Sequence, residues 1–154
     1  MFQEPDQGRL TIEAPFGVCT LGRKPGPKVF VAGGTGVSPI LSMVREAAQQ
    51  QLDFGAPVHV IYGARSPADL AAVDMLEDAA KRIPHAQYLP VVENAPLGWT
   101  HAKGFVTDVM AAAIVDATAA EFYVAGPPAM VSAVKTLLQR GEVPVTQIHY
   151  DSFG

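Results

Sequence analysis

The 154-residue sequence predicts a doubly wound α/β domain, a five-stranded parallel sheet in the order 3-2-1-4-5 with helices on both faces. Three observations lead there. Short β-branched and aromatic runs alternate with amphipathic segments of helical period. The two most unusual turns, one rich in glycine and one in proline, follow the first and fourth of those runs. The length suits one domain, and 49% hydrophobic residues are enough to cover both faces of a sheet.

The elements follow in order. Residues 9–13 alternate like a half-buried strand, and Pro15-Phe16-Gly17 breaks it. Gly22-Arg23-Lys24-Pro25-Gly26-Pro27 reads as a linker, after which composition and rhythm change. Residues 28–32 form the first strand of the sheet. Gly33, Gly34 and Gly36 then surround Thr35, and Ser38-Pro39 opens a helix with Ile40, Leu41, Val44, Ala47 and Ala48 on one face. Residues 58–62 form the second strand. Ser66-Pro67 supplies an N-cap and a first-turn proline for a helix through Leu70, Val73, Leu76 and Ala80. A third strand spans 87–92, a long loop runs through Trp99 and His101, and 105–115 is a helix. Residues 121–125 make the fourth strand. Gly126-Pro127-Pro128 starts a helix whose Met130, Val131, Val134, Leu137 and Leu138 share a face, and 146–150 make the fifth strand.

Composition excludes several classes. A net charge of -4 without a basic cluster gives no electrostatic footprint for nucleic acid. Cys19 is the only cysteine, so this chain builds no internal disulfide and no cysteine-bound iron-sulfur cluster. No apolar run approaches the roughly 18 residues that span a bilayer, and Met1-Phe2-Gln3-Glu4-Pro5-Asp6 lacks the order of a signal peptide. The expectation is a soluble cytoplasmic chain without membrane or nucleic-acid partners. His59, His85 and His149 lack metal-ligand spacing, so no metal site is expected.

In a doubly wound sheet, ligands bind in the crevice where the connections reverse direction, at the carboxyl ends of the first and fourth strands. Both unusual turns fall there. A glycine turn ahead of a helix lets the backbone approach a diphosphate, and the amides and dipole at residues 37–40 favour its charge, with the Thr35 hydroxyl as a further donor. The plainer reading is a tight strand-to-helix turn that needs glycine for its own sake. Competing motifs fit worse: there is no Gly-Lys-Ser/Thr ending, no dinucleotide fingerprint spacing, and no second glycine for a hydrolase elbow at Gly36-Val37-Ser38-Pro39-Ile40.

The run Val29-Phe30-Val31-Ala32-Gly33-Gly34-Thr35-Gly36-Val37-Ser38-Pro39-Ile40-Leu41-Ser42-Met43, with Ala125-Gly126-Pro127-Pro128-Ala129-Met130-Val131, resembles the NAD(P)H-binding domain of the ferredoxin-NADP reductase superfamily. Tyr62-Gly63-Ala64-Arg65, Gly104-Phe105-Val106-Thr107-Asp108 and His149-Tyr150-Asp151-Ser152-Phe153 are similar to it as well, above all to reductase components of bacterial oxygenases. Leu10-Thr11-Ile12-Glu13-Ala14-Pro15-Phe16-Gly17 resembles the end of the preceding flavin-binding β-barrel. The resemblance therefore implies a remnant barrel strand and linker over 1–22 and an NAD(P)H-binding domain over 23–154.

It implies a flavoprotein oxidoreductase that passes hydride from NAD(P)H, leaning to NADH, to FAD, for electron transfer to a ferredoxin, an iron-sulfur domain or an oxygenase. Gly33, Gly34, Thr35, Gly36 and Pro39 would border the diphosphate and nicotinamide, and Gly126, Pro127, Pro128 and Met130 the opposite wall. Met130 reads equally as a helix core residue. Arg65 would meet the adenosine ribose, pairing with a 2'-phosphate or stacking on adenine, unless it is a solvated loop residue. Asp69 reads as support for a helical turn rather than a ribose ligand, and Trp99 as ordinary loop packing. Tyr150 and Phe153 are flavin-facing candidates, with core packing the alternative for Tyr150. Ala125 departs from the cysteine that many relatives carry there. No flavin-binding signature precedes Leu10, so FAD would be held by a domain in cis or trans, and activity would be incomplete in this chain alone, whether it is an excised domain, a truncated reading frame or a split subunit. The alternative is a standalone nucleotide-binding or redox-sensing module without catalysis.

Overall fold

The computed structural model describes residues 19–114 and 116–152. Its sheet has strands β1 (Lys28–Gly33), β2 (Val58–Ala64), β3 (Ala86–Val92), β4 (Ala102–Lys103), β5 (Glu121–Gly126) and β6 (Ile148–Ser152). The order is β4-β3-β2-β1-β5-β6 and every pair is parallel. The helices are α1 (Val37–Gln49), α2 (Val73–Lys81), α3 (Val106–Ala113) and α4 (Pro128–Arg140).

The doubly wound class and the relative order of the five expected strands stand. Among the described residues the sheet has six strands, which corrects the expected five. The extra strand, β4, is two residues long, too short for a hydrophobic period, and pairs Ala102 and Lys103 with Val91 and Val92. The loop is drawn there because Trp99 Nε1 donates to the Ala102 carbonyl at 2.9 Å and the Gly104 amide to Val92 at 3.0 Å.

Several boundaries also move. Ser66-Pro67 starts only a 3-10 turn, Pro67–Asp69, and α2 begins four residues later after Ala72 at φ 57. Proline suits the first turn of either helix type. The α3 helix is shorter than expected, 106–113 rather than 105–115. Another 3-10 turn, Val145–Gln147, delays β6, with the Gln147 amide donating to Pro144 at 2.9 Å.

Alternation along the strands divides the core into two layers. Phe30, Ala32, Val58, Val60, Tyr62 and Tyr123 face α1 and α2. Val29, Val31, Ile61, Phe122 and Val124 face α3 and α4. All six residues of β1 are buried, as expected of a central parallel strand covered on both sides.

The segment ahead of β1 is anchored to this core. Cys19 and Leu21 pack on the α1 layer, the Gly22 amide donates to the Tyr123 hydroxyl at 2.9 Å, and Arg23 pairs with Glu46 at 3.1 Å. Burial, with Asp151 nearby, pushes the Cys19 thiol up to about 11. The expected strand at 9–13 lies outside the described residues, as does most of the 1–22 segment.

Candidate functional site

Parallel strands deliver the turns after β1 and β5 to one edge of the sheet, and there the two turns touch. β1 passes directly into a 3-10 turn, Gly34–Gly36, ahead of α1, and β5 ends at Gly126 ahead of α4. A Cβ at Gly36 would overlap the Ala125 carbonyl and stand 2.6 Å from the Gly126 nitrogen. One at Gly33 would meet Met130 Sδ, and one at Gly126 would stand 3.2 Å from Gly33 Cα. The floor of the crevice is thus backbone against backbone, which only glycine permits.

Gly34 is different. Its φ is +52, and a Cβ there would meet nothing within 4 Å. The side chain it lacks would project into the open crevice. Around it Thr35, Arg65, Pro127 and Pro128 are exposed and Pro39 is half-buried.

The electrostatics of this edge come from helix ends. α1 and α4, thirteen residues each, begin at the crevice without a side-chain cap and without an acidic residue in the first turn. Their first-turn amides concentrate about half a positive charge at each end. The Val37 amide is spent on the Gly34 and Thr35 carbonyls, so the 3-10 turn absorbs one donor that residues 37–40 were expected to offer. Other turns satisfy themselves with carboxylates. Asp69 Oδ2 accepts from the Ser66 amide at 3.0 Å and hydroxyl at 2.7 Å, Asp108 Oδ2 accepts from the Phe105 amide at 2.8 Å, and α2 carries Asp74 in its first turn.

The glycine and proline residues singled out in the sequence therefore converge, and Arg65 lies on the same edge just beyond β2. The Arg65 carbonyl accepts from the Asn94 amide at 2.8 Å, while its exposed side chain makes no ion pair among the described residues. Met130, half-buried, packs against Gly33 and Gly126. Tyr150 stands on the edge strand opposite Val124, below the crevice, with Lys135 Nζ 4.0 Å from its ring centre. Phe153 lies outside the described residues. Among those described, no His, Cys, Asp and Glu residues cluster to hold a metal, and no helix is long and apolar enough to cross a membrane.

Tyr62 belongs to a run that carries the family resemblance, but the sequence assigned it no role at the site. Within an apolar strand it looks like core, and it is fully buried. Its hydroxyl nevertheless accepts from the Ala71 amide at 3.1 Å and donates to the Gly34 carbonyl at 3.4 Å. The available signal was the residue type, since a buried tyrosine hydroxyl needs a partner.

A separate groove of about 570 Å³ runs between α3 and α4, lined by Thr107, Ala111, Ser132, Ala133 and Thr136 among others, and includes none of the glycine-turn residues. The crevice is an open edge instead, with nothing within 4 Å of a Cβ placed at Gly34.

Known proteins share this arrangement. A family model described as an oxidoreductase NAD-binding domain matches residues 30–136. The electron transfer component of anthranilate 1,2-dioxygenase from Acinetobacter baylyi is 33% identical over 144 residues, 94% of this chain and 41% of that protein. Among solved structures, an Amycolatopsis cytochrome P450 reductase superposes with a TM-score of 0.78 at 27% identity, over 91% of this chain and 42% of that one. A ferredoxin reductase of carbazole 1,9a-dioxygenase does so with a TM-score of 0.69 at 29% identity, over 84% and 38%. These matches bear out the resemblance to the ferredoxin-NADP reductase superfamily and its oxygenase reductase components. The chain spans about two fifths of the length of the curated relatives it matches.

Proposed function

Because this chain belongs to the oxidoreductase NAD-binding domain family, we propose that it is the NAD(P)H-binding part of a flavin-dependent reductase serving an oxygenase or ferredoxin. One observation carries the reading: two backbone turns meet at the switch point of the sheet, and two uncapped helices aim their positive ends at the gap between them. That is a fit for a diphosphate flanked by two flat rings.

In this reading the amides around Thr35 and Ser38 hold the diphosphate, with the Thr35 hydroxyl as an added donor. Gly34 admits it to close range because nothing projects from its Cα. Pro127 and Pro128 stiffen the opposite wall, and with Gly33, Gly36 and Gly126 they fix the plane on which the nicotinamide ring rests. Orientation of that ring is the main contribution of the protein. When bound, the nicotinamide would supply a hydride to an FAD held by a neighbouring domain. Met130 supports the floor from beneath. Pro39 shapes the start of α1, and Arg65 faces the adenosine ribose.

NADH is the nucleotide proposed; the similar reductase components of naphthalene 1,2-dioxygenase systems are described as acting with NAD(P)(+). Residues 1–22 are assigned to a flavin-binding barrel and linker, residues 23–154 to the nucleotide domain, and Tyr150 and Phe153 to the side that faces the flavin. The cytoplasm is the expected compartment. Electron acceptors are an iron-sulfur domain, a ferredoxin or the oxygenase itself; carbazole 1,9a-dioxygenase has a ferredoxin reductase of this kind, also solved in an FAD apo form.

Calorimetric titration of NADH and NADPH into the chain tests the reading. Saturable binding of NADH is expected. Failure of both nucleotides to bind folded protein overturns it, and a preference for NADPH that disappears in Arg65→Ala would reverse the choice of nucleotide.

A further inference from the structure

Tyr62 sits level with Ala32 of β1, one residue before the paired strand ends Gly63 and Gly33. Its ring belongs to the layer under α1 and α2, and its hydroxyl joins two segments distant in sequence. The Ala71 amide occupies one acceptor position of that oxygen. A phenol carries a single proton, and among the described residues the Gly34 carbonyl is the acceptor it reaches. Burial raises the pKa of Tyr62 above its usual value, so the hydroxyl remains a donor through the neutral range.

The peptide between Gly34 and Thr35 is planar and trans, with its carbonyl and N–H on opposite sides. A carbonyl held inward against Tyr62 leaves the Thr35 N–H facing the other way, away from the core. The same carbonyl accepts from the Val37 amide, so one oxygen links the turn, the first residue of α1 and the tyrosine.

We propose that Tyr62 is a positioning residue whose hydroxyl sets the Gly34–Thr35 peptide for an anionic diphosphate and ties that turn to the segment ahead of α2. The proposal rests on the nucleotide reading of the crevice. It adds a division of labour: Tyr62 acts on the diphosphate through the Gly34 carbonyl and touches no part of the ligand. Losing the hydroxyl should weaken ligands that carry a diphosphate and spare those that do not.

Tyr62→Phe keeps the ring and removes only the hydroxyl. ADP, NADH and adenosine are titrated by calorimetry into the wild-type and variant chains, and ¹⁵N–¹H spectra are recorded without ligand. ADP and NADH affinities should fall about threefold to tenfold, the worth of one net hydrogen bond. Adenosine affinity should not change, and the Thr35 and Gly36 amide signals should shift, with that of Ala71, while those of β6 stay in place. Unchanged ADP affinity, or an equal loss for ADP and adenosine, overturns the proposal, the latter because it marks general loosening. If the wild-type chain binds neither ADP nor NADH, the nucleotide reading falls instead; the ligand-free amide signals then still decide whether Tyr62 holds the turn.

Discussion

The two ends of β1 and β5 are built on opposite plans. At their amino ends, side chains satisfy one another: Lys28 Nζ lies 2.8 Å from Glu121 Oε2, the Tyr123 hydroxyl donates to the same carboxylate at 3.0 Å and accepts from the Gly22 amide, and Phe54 stands under the ammonium. At their carboxyl ends side chains are missing: Gly36 and Gly126 let the backbones touch, and Gly33 makes room for Met130. One end spends its polar groups internally, and the other leaves amides and helix ends unspent. The same two strands thus separate holding the domain together from presenting a surface to a ligand, about six residues apart.

The largest expected effect breaks the closed end. Lys28 is 1% exposed and Glu121 21%, so Lys28→Met strands a largely buried carboxylate and should cost about 3 kcal/mol of stability by chemical denaturation. NADH affinity of the folded protein should stay within twofold of wild type. A parallel loss of affinity would show that the two ends are coupled and the comparison false.

The next effect strikes the floor of the open end. Gly36→Ala places a methyl group against the Ala125 carbonyl, which as backbone cannot swing aside. A destabilisation of about 2 kcal/mol is expected, accompanied by weaker NADH binding because the walls are forced apart. Gly34→Val should show the reverse weighting. Its side chain meets open space, so stability falls only by the cost of a left-handed backbone, about 1–2 kcal/mol. NADH binding should be abolished in titration. If Gly34→Val binds like wild type, the crevice above that residue is not where the diphosphate lies.

That contrast between two glycines of one turn marks what the sequence could carry. Gly33-Gly34-Thr35-Gly36 and Gly126-Pro127-Pro128 were legible as the crevice because strand order follows from alternation and the switch point follows from strand order. Which glycine faces a neighbour and which faces open space was not legible, since a missing side chain does not say what would have occupied its place. The strands that were found are runs long enough for period and β-branching to speak. β4 has two residues and no period. The Ser66-Pro67 signal was sound as a start but not as an extent: the Ala71 amide is taken by Tyr62, and Ala72 turns left-handed before α2 begins. Tyr62 itself was hidden by its neighbours, where a hydroxyl among Val58, Val60 and Ile61 looked like one more apolar residue.

The smallest expected effect is the pH response of the sheet away from the crevice, and it comes in two windows. His59, on β2 between Val29 and Gln87, is held below its usual value of 6.5 by burial, and its Nδ1 has no partner among the described residues. The folded chain therefore binds this proton more weakly than the unfolded chain does, and unfolding takes it up. Stability begins to fall as the pH drops through about 6.5. Burial alone would raise the Glu121 carboxyl, but hydrogen bonds from Lys28 and Tyr123, with the charges of Lys28 and His149, outweigh it and hold the group below 4.5. Its contribution is present above that unfolded value and lost as the pH falls through the lower folded one. Melting temperature followed from pH 8 to 3 should decline in these two stages. His59→Leu should remove the first and leave the second, and Glu121→Gln should remove the second while lowering stability throughout. A single transition near pH 4 that neither substitution alters would place the acid sensitivity elsewhere, and the closed end of the sheet would lose its claim to be the part that holds the domain together by charge.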